Sequence, residues 1–279
     1  MTELFRRSGK VIIDNIELVI DPNDPGSALD VAFEVTRSLK PEPNTAEVQV
    51  FNMAPQKRNK LEELDKVTVS IEAGYLNNTS LVFLGVARTV FTNRQGPDLV
   101  THVQAGDGEK EFRQGHIDIS FKPGVSNAQV LDALVAAVGL GRGNMDSDVL
   151  QIFLAATEPI FPQGAVLSGQ ASKVLHFILK SMELDYSIQN GAMQFLEFGA
   201  PVAAAAVLLS PETGLVGTPS VDNKGIVSAQ ALITPDIYPG RIVEINSEFL
   251  TGQFRIETCR YSGETSGNNW YVDLEGQKQ

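Results

Sequence analysis

Few side chains in this 279-residue sequence have the type and spacing that catalysis or metal binding requires. The sharpest candidate is Asp107, set between glycines in Ala105-Gly106-Asp107-Gly108. Such a carboxylate would suit a cation ligand or a catalytic acid. The simpler expectation is a tight turn in which the aspartate accepts backbone amides. His102, His116 and His176 stand in unrelated contexts and form no His-Glu-x-x-His pair, so they are expected to be solvated or hydrogen-bonded rather than metal ligands. Cys259 is the single cysteine, which excludes an intrachain disulfide and any multi-cysteine metal site. It falls within a predicted strand away from any histidine and reads as a packed, inert thiol.

Two further runs imitate binding motifs. Asp21-Pro22-Asn23-Asp24-Pro25-Gly26 is dense in oxygen donors, with glycine in the sixth place of a calcium loop. Its fifth place is Pro25 and its twelfth Ala32, where a bidentate glutamate is needed, so a surface turn is expected. Gly139-Leu140-Gly141-Arg142-Gly143 resembles half a dinucleotide fingerprint, but it follows a predicted helix instead of opening one. No Gly-x-Ser-x-Gly nucleophile elbow is present. Carboxylate pairs for glycoside cleavage are invisible at this level, because 34 acidic residues supply chance candidates. The reading is therefore a non-enzyme with no cofactor and no metal.

The elements that would position these residues are mostly strands. Ile16–Ile20, Val31–Val35, Val67–Ile71, Val82–Val86 and Leu99–Ala105 place large apolar residues at every second position, the period of a half-buried antiparallel sheet. Turn clusters at 21–26, 40–44, 76–79 and 93–98 separate them, and one short helix is predicted at Pro55–Leu64 with proline in its first turn. After Gly115 the pattern changes. Ile117, Ile119 and Phe121 alternate, and Ser126 and Gln129 then form a capping box ahead of Leu131, Leu134, Val135 and Val138. Gly139 is expected to end that helix. A second helix is predicted over Ala171–Leu184, followed by a hairpin around Asn190-Gly191. Segments 201–207 and 213–224 read as connectors. Strands return at Arg241–Ile245, Gln253–Tyr261 and Trp270–Glu275. This closing group has too few strands to stand alone and is expected to pair with the strand near Ile117–Phe121.

Hydrophobic residues make up 43% of the chain, enough for a sizeable core, and only one tryptophan and fourteen phenylalanines contribute aromatics to it beside five tyrosines. No apolar run is long enough to cross a bilayer, and Met1–Lys10 does not read as a leader. The net charge of −12 is spread evenly: 13 basic against 17 acidic residues in 1–113, 4 against 9 in 114–220, and 5 against 8 in 221–279. No basic stripe exists to displace counterions from a nucleic acid, so specific DNA binding is not expected. An acidic surface could still border a channel through which DNA slides without adhering.

Several segments carry a family likeness. Ser38–Met53 runs from a strand through Pro41-Glu42-Pro43-Asn44 into a second strand ending in Phe51-Asn52. Arg58-Asn59-Lys60-Leu61, Ala73-Gly74-Tyr75, Phe83-Leu84-Gly85-Val86 and Ala105–Gly108 follow in order. Near the other end come Tyr238-Pro239-Gly240-Arg241, Gly252–Ile256 and Ser262-Gly263-Glu264 through Trp270-Tyr271. In order and spacing these resemble the baseplate hub proteins of phage tails. The resemblance implies a mainly β fold with an α+β insertion and two tail-tube-like antiparallel β-barrel domains. On that basis residues 1–113 form the first barrel, 114–124 with 221–279 the second, and 125–220 the inserted module. It also implies a homotrimeric ring in the virion baseplate, assembled in the host cytoplasm. The ring would join the tail tube protein to the tail spike protein, beside baseplate wedge proteins and the tape-measure protein. Genomic DNA would pass through without specific binding, and this chain would not insert in a membrane. At this length no separate lysozyme or peptidase domain is expected. A tail-tip cell-wall hydrolase and the hub of a phage-derived secretion machine are the alternatives; a glycan-binding module is poorly served by so few exposed-type aromatics. Candidate interface residues are Lys40, Pro41, Pro43 and Asn44 in the loop, and Pro55, Arg58 and Lys60 on the short helix, because both segments interrupt the sheet.

Overall fold

A computed structural model describes residues 6–21, 29–76, 78–108, 112, 115–234 and 236–279. Residues 1–5 and 22–28, which hold half of the Met1–Lys10 segment and most of the calcium-like run, lie outside the described residues. The chain divides into two compact units. One comprises Met1–Ser38, Asn44–Asp107 and Val202–Gln279; the other comprises Leu39–Pro43 and Gly108–Pro201.

The first unit opens with β1 (Arg7–Ile13), β2 (Ile16–Ile20), β3 (Val31–Ser38), β4 (Thr45–Phe51), α1 (Pro55–Glu63), β5 (Thr68–Tyr75), β6 (Asn78–Gln95) and β7 (Asp98–Gly106). The period of two is realised as expected. In β2, Ile16, Leu18 and Ile20 point inward while Glu17 and Val19 face out. The strands pair in the order β3-β4-β7-β6-β5-β1-β2, every pair antiparallel. α1 starts with Pro55 in its first turn and buries only Leu61, so it is a polar helix held by one apolar anchor. The turn expected over 93–98 is shorter, because the β6–β7 ladder continues to the pair Gln95–Asp98.

The second unit contains β8 (His116–Phe121), α2 (Asn127–Val138), α3 (Asp148–Ala156), β9 (Ala165–Gln170), α4 (Ala171–Ser181), β10 (Leu184–Gln189) and β11 (Ala192–Glu197). α2 has the predicted reciprocal cap between Ser126 and Gln129, and Gly139 ends it at φ +79°. Asn190 and Gly191 both take positive φ (54° and 76°), the backbone that a type I′ turn demands and that glycine adopts without a Cβ penalty. Helices and strands share a core of their own that includes Leu131, Leu134, Leu175, Ile178, Ile188 and Phe195.

The C-terminal stretch returns to the first unit with β12 (Val207–Leu209), β13 (Leu215–Val221), β14 (Ile226–Leu232), β15 (Ile242–Asn246), β16 (Thr251–Glu264) and β17 (Trp270–Lys278). Here the sequence expectation is corrected. Strand β8, expected to partner these strands, instead pairs with β9 from His116–Gln170 to Phe121–Ala165, and its Ile117 lies in the second unit's core. The C-terminal strands join β3, with β16 in antiparallel register from Thr258–Ser38 to Glu264–Ala32. The physical reason is edge satisfaction. β3 has a free edge opposite β4, and β16 is long enough to serve β15 with its first residues and β3 with its last. The result is one 13-stranded sheet with a single apolar cluster spanning both halves, antiparallel except for the short β12–β15 pair. Among the described residues no strand pairing closes it into a barrel. Segment 213–224, expected as a connector, holds β13; Gly217 and Pro219 gave it a turn-like composition, and its register with β14 is broken between Val216 and Ser220.

Two consequences are measurable. Trp270 packs edge-on against Phe33 (centroids 5.6 Å apart, planes at 78°), and its indole N–H donates to the Gly74 carbonyl at 3.0 Å. A Cβ on Gly263 would stand 2.5 Å from the Phe33 ring and 2.8 Å from the Trp270 ring. Gly263→Ala is therefore expected to cost about 1–3 kcal/mol in urea denaturation, as overpacking does. Cys259 is fully buried, and burial pushes its thiol from the ordinary 9.0 up to about 12. The folded chain keeps this proton where the unfolded chain loses it, so the full stability is present below pH 9 and declines as pH rises toward 12. Between pH 9 and 10 the thiol accounts for a loss of about 1 kcal/mol, to which the tyrosines buried at 75, 186 and 261 add a loss common to the parent and to a Cys259 variant. Denaturation midpoints of the parent and of Cys259→Ala should converge over that interval.

Candidate functional site

Asp107, the leading chemical candidate, is fully buried. One carboxylate oxygen accepts the backbone N–H of Asn44 at 2.6 Å, and the other accepts the Asn44 side-chain amide at 2.9 Å. The Asp107 N–H donates to the Asn44 carbonyl at 3.2 Å, and the Asn44 side-chain oxygen accepts the Ser38 N–H at 2.9 Å. The final ladder pair of β4 and β7 is Thr45–Gly106, so these side chains extend the pairing one step past the end of the strands. The aspartate does accept a backbone amide, but from a residue 63 positions upstream rather than from its own turn. A carboxylate enclosed in this way holds strands together and does not meet solvent.

The other candidates resolve similarly. His102 is buried, stacked on Phe91 (4.8 Å between ring centroids, planes 6° apart), and within 3.2 Å of the Asn93 side-chain oxygen and 3.5 Å of Glu47. His116 is exposed at the start of β8, and His176 is exposed on α4. Among the described residues no group of three His, Cys, Asp or Glu side chains could hold a metal. In the glycine run, Gly141 bridges to Ala192, the Met193 carbonyl leaves no room for a side chain on Gly143, and Arg142 is engaged by Asp132 and Asp146. This is a close backbone approach to the β10–β11 hairpin, not a phosphate cradle.

The candidate interface residues separate. Lys40, Pro41 and Pro43 belong to the second unit's portion of chain, while Asn44, Pro55, Arg58 and Lys60 belong to the first. Lys40, Pro41, Pro55 and Lys60 are exposed, Pro43 and Arg58 are half-buried, and Lys60 reaches the side-chain amide of Asn15. Asn44 is only 3% exposed, its side chain turned inward to Asp107 and Ser38.

Sequence reasoning did not find an open groove of about 650 Å³ in the second unit. It lies among α3, α4 and the β10–β11 hairpin, with Phe153, His176, Lys180, Tyr186, Glu197 and Phe198 in its lining. These residues come from four separated stretches, and α3 was not among the predicted helices, so no single segment announces the groove. Phe177 is 67% exposed.

Among solved structures, the chain is similar to a tail protein from Neisseria meningitidis MC58, with a TM-score of 0.69 over 99% of this chain and 97% of that one at 8% identity. The fold is that of phage tail proteins. A 43 kDa tail protein of prophage MuSo2 from Shewanella oneidensis matches equally completely, with a TM-score of 0.66, 98% of both chains covered and 11% identity. The E. coli c3393 protein is a component of the type VI secretion system with structural similarity to the T4 bacteriophage tail proteins gp27 and gp5. It matches at a TM-score of 0.58 and 11% identity, over 97% of this chain and 77% of that one. No protein-family model matches the chain, and no curated protein matches it in sequence. The tail-protein fold is thus recognised through geometry, and the segments of family likeness supply positions such as Asn44, Asp107, Gly263 and Trp270 that hold that geometry.

Asp107→Ala removes the carboxylate that accepts both the backbone and the side-chain N–H of Asn44. The expected loss is about 3 kcal/mol by chemical denaturation, with Asp107→Asn losing less because one acceptor is retained.

Proposed function

We propose that this chain is a structural baseplate hub of a phage tail and not an enzyme. The observation that carries the reading is the two-way, near-complete structural match to two tail proteins, which leaves neither chain with a large unmatched domain. In this reading three copies close into a ring that joins the tail tube to the spike, with wedge and tape-measure proteins as neighbours in the virion. Strands β1–β7 correspond to one tube-like domain and the C-terminal strands to a second, each completed by pairing with neighbouring copies. That supplies partners for strand edges that would otherwise promote aggregation. The acidic balance of all three stretches of chain suits a lumen that DNA traverses without adhering. A second reading, the hub of a phage-derived secretion machine, is favoured by the match to the type VI secretion component, although this chain spans less of that protein than of the tail proteins.

Sedimentation equilibrium tests the ring. Three chains of 30.2 kDa predict a species of about 91 kDa, and Lys40→Glu with Arg58→Glu should shift it toward monomer while leaving the circular dichroism unchanged. A chain that remains monomeric both alone and with tube and spike proteins overturns the reading, as does peptidoglycan clearing by the purified chain.

A further inference from the structure

We infer that the groove in the second unit is a docking site for a cationic peptide segment of another protein, one that carries an aromatic or aliphatic side chain beside lysine or arginine.

The groove combines three features. First, part of its lining is apolar. Phe153 and Phe198 line it, and Phe198 is 79% exposed; Phe177 and Ile152, neighbours in sequence of lining residues, are 67% and 70% exposed. Aromatic rings left in water beside a concave surface mark a place where apolar area is gained on binding. Second, its charge is unbalanced. Glu183 and Glu197 line it against the ammonium of Lys180, while Asp185, also in the lining, accepts the Gly199 N–H at 3.2 Å. Glu197 lies opposite Leu184 in the β10–β11 ladder, and the Phe198 N–H donates to the Glu183 carbonyl at 3.0 Å, which gathers both glutamates at one end of the hairpin. Neither glutamate has an ion-pair partner among the described residues. Third, Tyr186 lines the groove while only 6% exposed, and its hydroxyl has no hydrogen-bond partner among the described residues. A buried hydroxyl without an acceptor is costly, and a peptide carbonyl would satisfy it.

Charge decides the occupant. A second copy of this chain, with 34 acidic residues against 22 basic, is a poor complement to the two glutamates, whereas a lysine- or arginine-bearing segment is a good one. Its apolar side chain would lie on Phe153 and Phe198, its cation would meet Glu183 and Glu197, and its backbone would accept from Tyr186. The inference goes beyond the hub reading, because it concerns the second unit's own surface and is tested on the isolated full-length chain whether or not that chain forms a ring.

The test is fluorescence anisotropy with a labelled twelve-residue peptide of alternating Lys, Phe and Ser. Saturable binding is expected, weakening as salt rises. The double variant Glu183→Gln, Glu197→Gln should lower affinity about tenfold, and Tyr186→Phe and the surface variant Phe198→Ser should each lower it about threefold or more. Circular dichroism and melting of each variant report whether it still folds. Peptides with Glu in place of Lys, or Ser in place of Phe, should not bind. The inference is overturned if the cationic peptide fails to bind up to about 1 mM, or if it binds all folded variants equally. It is also overturned if a chitin hexasaccharide binds the parent and loses binding in the same variants, which would make the groove a saccharide site. Sedimentation of the same samples separates this result from the outcome for the ring.

Discussion

The first unit depends on β3 being hydrogen-bonded along both edges. β4 satisfies one edge through a short local connection, and β16 satisfies the other from the far end of the chain. The side chains across this second seam are committed to it. Tyr261 pairs with Val35 and sends its hydroxyl to the Ile237 carbonyl at 2.5 Å, and the buried Arg37, opposite Cys259, donates to the Val82 carbonyl at 3.3 Å. Without β16, the outer N–H and C=O groups of β3 would need water or another strand, and these buried polar atoms would lose their setting. Every other strand of the unit connects through this pair or leans on the core that it closes.

The segments of family likeness make physical sense against that framework. Pro41–Asn44 and Ala105–Gly108, separate in sequence, meet through the Asn44–Asp107 bonds at the ends of β4 and β7. Ser262–Glu264 and Trp270 meet at the Phe33 and Trp270 rings, where no side chain fits on Gly263, and Trp270 reaches back to the carbonyl of Gly74. These are places where the backbone leaves few alternatives.

Local chemistry was legible in the sequence wherever one segment contained its own determinants. The alternation in β2 and β3, the Ser126–Gln129 cap, the stop at Gly139 and the Asn190-Gly191 turn needed no distant partner. Long-range pairing was not legible. β8 and β3 both alternate apolar residues, and alternation does not say which strand will claim β16. β13 was hidden by Gly217 and Pro219, which usually mark turns, and α3 by the absence of any prior reason to assign its stretch. The enclosed state of Asp107 and the groove around Tyr186 arise only when separated elements meet, so neither is legible in its own segment.

The β3–β16 seam also has a meaning in time. Glu34 and Arg260 bond across it from positions 226 residues apart. At a synthesis rate of about 5–20 residues per second, roughly ten to forty-five seconds separate the making of one from the making of the other. Throughout that interval β3 has an unclaimed edge, while the second unit, which is almost entirely one continuous stretch, has all of the material for its core once Pro201 is made. The order of manufacture therefore runs opposite to the order of dependence: the inserted part can be finished early, and the strand that anchors the larger part waits for residues made after that insertion.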